Sequence, residues 1–127
     1  AEAACAASVT GEIAVIATEG TVRGGAYERA IRARRPTAAV ISRPCQLFVA
    51  LAEEGWVRGA IAEAVARRYL EALVAEHPGV DCLVLGCTHF PVLREAIAAA
   101  VGPRVALVDS AEQAARAVAG CLARTGL

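Results

Sequence analysis

The sequence predicts an α/β domain with a parallel sheet and flanking helices. Short apolar runs of strand length alternate with longer amphipathic segments, the pattern of repeated strand–helix units. Several of those runs are apolar on both faces, as strands covered on both sides must be. Hydrophobic residues make up 57% of the 127 positions and aromatics only 4%, so the core between the layers is expected to be aliphatic.

Residues 1–8 are Ala-rich and read as a helix. Residues 12–17 form an apolar run bounded by Gly11 and Gly20, a buried strand. Residues 18–21 are expected to turn the chain. Residues 22–34 then place Ala26, Tyr27, Ala30 and Ile31 on one helical face, with Glu28 four before Arg32. Residues 37–41 are a second strand, opened by Pro36 and closed near Pro44. Residues 47–54 suit a short helix ending at Gly55. Residues 58–76 make the clearest helix: Ile61, Val65, Tyr69 and Leu73 recur every fourth position, and Glu63, Arg67 and Glu71 form a charged ladder opposite. His77-Pro78-Gly79 ends it. Residues 80–85 are a third strand, apolar on both faces except at Asp81. Pro91 suits the first turn of a following helix, lined by Leu93, Ile97 and Ala100. Residues 104–108 are a fourth strand, and Ser110 with Gln113 forms a capping box for a last helix through Arg124.

Charge excludes some functions. The 13 basic and 13 acidic residues cancel, leaving no long-range field for nucleic acid or an anionic membrane. No apolar stretch approaches the ~18 residues of a membrane span, and the first residues do not read as a signal peptide. All basic residues are Arg, and Lys, Met and Asn are absent, which fits a GC-rich genome and a segment beginning inside a longer protein. The five cysteines, at 5, 45, 82, 87 and 121, are odd in number and irregularly spaced. They read as reduced thiols of a cytoplasmic protein rather than a disulfide framework.

In open parallel sheets, ligands sit beyond the carboxyl ends of the strands. The turns to inspect are therefore 18–21, 42–46, 86–90 and 109–110. Gly86-Cys87-Thr88-His89-Phe90-Pro91 is the most informative. A thiol between a central strand and a helix start gains from the helix dipole and free N–H groups, which favour thiolate. His89 can add charge or relay a proton. Thr88 offers a hydroxyl, and the N–H groups can hold a carboxylate. A buried cysteine beside a capping Thr88 explains the same residues equally well.

Residues 84–93, Val-Leu-Gly-Cys-Thr-His-Phe-Pro-Val-Leu, are similar to the second-cysteine signature of the glutamate racemases. Residues 17–27, Ala-Thr-Glu-Gly-Thr-Val-Arg-Gly-Gly-Ala-Tyr, resemble that family's Thr-rich loop. Residues 47–56 resemble its acidic segment, and 107–110 its last strand. Aspartate racemases usually carry Glu where His89 stands, so His89 favours glutamate. Gln46 and Ala50 depart from the family, which commonly has Pro there. The family's Asp-Ser-Gly turn and its Cys-Asn-Thr stretch with the first catalytic cysteine are absent from these residues.

The resemblance implies a flavodoxin-like lobe of a two-lobed racemase: residues 1–108 as the second lobe, and 109–127 as a terminal helix returning to the first. It implies cofactor-independent interconversion of L- and D-glutamate by two cysteines, supplying D-glutamate for peptidoglycan. By motif match, Cys87 is one acid/base and His89 assists it, with Glu53, or Glu54 if the loop slips by one, as the acidic partner. Thr88, Thr21 and Thr18 contact substrate. No cofactor and no metal are implied. The expected partners are glutamate, an amino-terminal lobe with the first cysteine, and a second copy in a homodimer. This half alone is expected to be inactive. An aspartate- or hydantoin-racemase relative, or a non-catalytic amino-acid-binding domain, are the alternatives. Cys82 reads as a small core hydrophobe, Cys5 and Cys121 as inert on Ala-rich helical faces, Cys45 as a strand-end residue without motif support, and Trp56 as a surface packing residue.

Overall fold

A computed structural model describes residues 1–126. Four strands, β1 (Glu12–Ala17), β2 (Ala39–Pro44), β3 (Cys82–Leu85) and β4 (Ala106–Asp109), form one parallel sheet in the order β2-β1-β3-β4. Helices α1 (Glu2–Ala7) and α3 (Ala26–Arg34) cover one face, where Ile13, Val15, Cys82 and Val84 pack with Ala4 and Ile31. Helices α4 (Leu47–Glu54), α5 (Ala60–Glu76) and α6 (Arg94–Val101) cover the other, against Ala14, Ile16, Leu83 and Leu85. Alternate residues of each central strand thus feed opposite cores, which is why the runs are apolar throughout. None of the helices among the described residues is long and apolar enough to cross a membrane.

Most expected elements occur, with local differences. Residues 18–21 do not merely turn: α2 (Glu19–Gly24) starts at once after β1, and Gly25 in the left-handed region (φ 68°) separates it from α3. A left-handed residue ends one helix and lets the next leave in a new direction. The second strand, Ala39–Pro44, runs two residues later at its start and three at its end than the expected 37–41. On α5 the buried positions are Ala62, Ala66, Leu70 and Leu73, whereas Ile61 is 56% exposed. Small alanines let α5 sit close to α6 and a sheet face already filled by aliphatic residues. The last helix, α7 (Ser110–Thr125), is capped by Asp109 rather than Ser110: the Asp109 carboxylate accepts from the Glu112 N–H at 2.7 Å.

Asp81, directly before β3, ties the amino ends of the sheet together. Its carboxylate accepts from the Ser8 hydroxyl and from the N–H groups of Val9 (2.7 Å) and Thr10 (2.9 Å). Burial pushes its pKa up, but these hydrogen bonds outweigh burial and hold it below the ordinary carboxylate value.

Candidate active site

The chain leaves β1 toward β2 on one side and later crosses to β3 on the other. The switch point of the sheet therefore lies between the carboxyl ends of β1 and β3, where open α/β sheets form a ligand crevice. Ala17-Thr18 exits β1 there and Gly86-Cys87 exits β3 beside it, with Ile16 paired to Leu85. The Gly86 N–H donates to the Ile16 carbonyl at 2.7 Å. A Cβ on Gly86 would stand 2.9 Å from that oxygen, 3.0 Å from the Tyr27 ring and 3.2 Å from the Ala17 Cβ. Only glycine lets the two turns approach this closely.

Cys87 is half-buried at this edge, and its Sγ lies 3.8 Å from Nδ1 of His89. The other ring nitrogen, Nε2, lies 3.6 Å from Oε1 of Glu53. A thiol, an imidazole and a carboxylate are thus in sequence. Both Glu53 and Glu54 are exposed, and Glu53 is the one that meets His89. The pairing rests on packing. Phe90, directly after His89, is fully buried, and its ring meets that of Phe48 edge-on at 5.4 Å between centroids. Phe48 lies on α4, the helix that carries Glu53, and also meets Tyr69 of α5 at 5.1 Å. Two buried rings therefore lock α4 to the cysteine turn and carry Glu53 to His89.

The segment after Cys87 differs from expectation. A single 3-10 turn (Phe90–Leu93) comes first, with Pro91 in its opening positions, and α6 starts only at Arg94. Dipole effects fall off within a turn of the helix end, so α6 adds little at the sulfur, and the His89 ring is the nearer polar group.

Thr18 and Thr21 are half-buried, and their hydroxyls lie 3.0 Å apart. Thr18 precedes α2 and Thr21 sits in its first turn, so both stand at the β1 side of the crevice. Thr88 is exposed in the turn itself. Its hydroxyl and those of Thr18 and Thr21 are the polar groups available to an amino-acid carboxylate or ammonium. Gln46, noted in the sequence only as a departure from the family, is part of the same rim: its Oε1 accepts from the Glu19 N–H at 3.3 Å. No sequence signal marks that contact. Tyr27 also reaches the site, through Gly86, although its spacing suggested only a core face.

The remaining thiols lie in other surroundings. Burial pushes Cys45 up to about 12 despite nearby Arg43, and Cys82 up to about 11. Both are fully buried and disfavour thiolate. Cys5 is half-buried under α3, and Cys121 is exposed on α7.

A family model described as Asp/Glu/Hydantoin racemase matches residues 1–118. The chain is 50% identical over 119 residues to the glutamate racemase of Geobacter metallireducens, covering 94% of this chain and 43% of that protein. It is 42% identical to the glutamate racemase of Chlorobaculum tepidum, covering all of this chain and 46% of that one. It thus spans about half the length of the curated relatives it matches. Among solved structures, it superimposes on a Bacillus anthracis glutamate racemase with a TM-score of 0.88 at 30% identity, covering 98% of this chain and 46% of that one. A Francisella tularensis glutamate racemase in complex with D-glutamate gives a TM-score of 0.79 at 37% identity, covering 91% and 43%. A family match over nearly the whole length, on a sheet with the same architecture, means that this chain belongs to the Asp/Glu/Hydantoin racemase family.

Proposed function

We propose that this chain forms the half of a glutamate racemase that carries one of its two acid/base thiols. The observation behind this reading is Cys87 at the switch point of the sheet, with His89 and Glu53 aligned behind it. The Cα proton of an amino acid is only weakly acidic, so its removal needs a base close to the carbon and a fixed polar surround for the carbanion. Cys87 as thiolate takes the proton from one face and becomes a thiol. A second thiol, from chain outside these 127 residues, gives its proton to the opposite face and becomes a thiolate. Charge and proton count balance without a cofactor.

His89 assists by meeting the sulfur with Nδ1 while Glu53 orients Nε2. Thr88, Thr18 and Thr21 bind the substrate carboxylate and ammonium. The reading for glutamate, rather than aspartate or a hydantoin, rests on His89 and on the glutamate racemases among the similar proteins. D-Glutamate is a building block for bacterial wall peptides, and its supply is the proposed role.

The test is interconversion of L- and D-glutamate by the intact protein that carries this chain, followed by circular dichroism. Cys87→Ser lowers turnover by roughly 10²–10⁴-fold, aspartate and hydantoins are not racemised, and the 127-residue chain alone is inactive. D-Glutamate formation by the pure chain that survives Cys87→Ala overturns the proposal.

A further inference from the structure

The geometry points to Tyr27 as a positioning residue that holds the Cys87 turn against the threonine loop through its contact with Gly86. Tyr27 lies in the first turn of α3, just after the left-handed break at Gly25. That break separates it from α2, which carries Thr21. The ring edge of Tyr27 reaches the backbone immediately before Cys87, with Cε2 3.0 Å from where a Gly86 Cβ would stand. Tyr27 also lines one narrow crevice with Ala17, Thr21 and Ser42. One side chain therefore stands against the space where a Gly86 side chain would lie and borders the helix that presents Thr21. It is half-buried, so its position is fixed by packing on one side. Gly86 has no side chain of its own to brace the turn, and the Tyr27 ring occupies that space.

This inference rests on the reading of Cys87 as the acid/base, and its consequence is geometric. Without the ring, the Gly86 backbone has room to retreat, and Sγ of Cys87 loses its register with Nδ1 of His89. A misplacement of about 1 Å in such a site costs on the order of 10²-fold in rate.

The test compares Tyr27→Phe, Tyr27→Leu and Tyr27→Ala in the intact protein. The first readout is the pH dependence of iodoacetamide labelling at Cys87, followed by peptide mass spectrometry, with added N-acetylcysteine as internal control. Tyr27→Ala and Tyr27→Leu move the midpoint of the Cys87 curve by about half a pH unit or more and leave the N-acetylcysteine curve unchanged. Tyr27→Phe keeps the parent curve, because the ring edge and not the hydroxyl makes the contact. The second readout is turnover: Tyr27→Ala lowers kcat by about tenfold or more, with KM within about twofold. An unmoved Cys87 curve in folded Tyr27→Leu overturns the inference, as does a Tyr27→Phe curve displaced as far as that of Tyr27→Ala. If the parent protein racemises nothing, the labelling curves still decide the role of Tyr27, so the two readings fail separately.

Discussion

Nε2 of His89 lies 3.6 Å from Oε1 of Glu53, and the side chains are 40% and 64% exposed. A contact of that length between solvated groups is weak, worth about 0–1 kcal/mol at most. Its role is therefore orientation of the ring more than stabilisation of charge.

Glu53→Gln keeps the shape of the side chain and removes its charge, so turnover of the intact protein falls only about two- to fivefold. His89→Ala removes the group that meets Cys87 Sγ and costs about 10²-fold. Glu54→Gln is silent. Steady-state rates of the three variants check this, and a Glu54→Gln loss larger than that of Glu53→Gln would show that the acidic partner has been misassigned.

Labelling by a thiol reagent separates the buried cysteines from the accessible ones. With Cys45 at about 12 and Cys82 at about 11, the thiolate fraction of either at pH 8 is about one in a thousand or less. Cys87 and Cys121 are accessible and label first in the folded protein; Cys45 and Cys82 label at the rate of global unfolding. Peptide mass spectrometry after a time course reads the order. Early modification of Cys45 would contradict its full burial in the core.

Most of what positions these residues was readable from sequence because it is local. Cys87 follows a run apolar on both faces, and that alone places it at the carboxyl end of a central strand. The pairing of Glu53 with His89 was not readable from spacing, because it depends on Phe48 meeting Phe90 across 42 residues of chain. Only the likeness to a family suggested it. The cap of α7 was misplaced by one residue because Asp109 and Ser110 are both good caps. Asp109 is selected because its other oxygen meets Arg94 at 3.3 Å. The face of α5 was misread because periodicity marks large apolar residues, while the close approach of α5 and α6 selects Ala62 and Ala66.

Asp81 sets a pH dependence of stability. Its folded pKa lies below the unfolded value of about 3.9. Its contribution is therefore fully present above that value and is lost as pH falls through the lower, folded one. Asp81→Asn flattens this acid limb. It also weakens the acceptor for Ser8, Val9 and Thr10, costing about 1–3 kcal/mol at neutral pH. Urea titrations at several pH values measure both effects, and an unchanged acid limb in Asp81→Asn would rule out this origin.

The terminal helix offers the sharpest contrast in stability. No residue of α7 is buried, and Val118 and Leu122 are 59% and 44% exposed on an apolar stripe. By comparison, α5 buries Ala62, Ala66, Leu70 and Leu73. Helix stability in proteins comes mainly from packing of an apolar face, so α7 in this chain depends on its Asp109 cap and the Arg116–Glu112 ion pair. Hydrogen exchange of the isolated chain is therefore expected to be at least about 100-fold faster over residues 114–122 than over 66–73. Asp109→Ala costs about 1 kcal/mol through the lost cap and speeds exchange in α7 further. In the intact protein the stripe is proposed to pack on the first lobe, and the same amides slow. Equal protection of α7 and α5 in the monomeric chain would mean that the helix is held by contacts of its own, and the proposed return to another lobe would lose its physical motive.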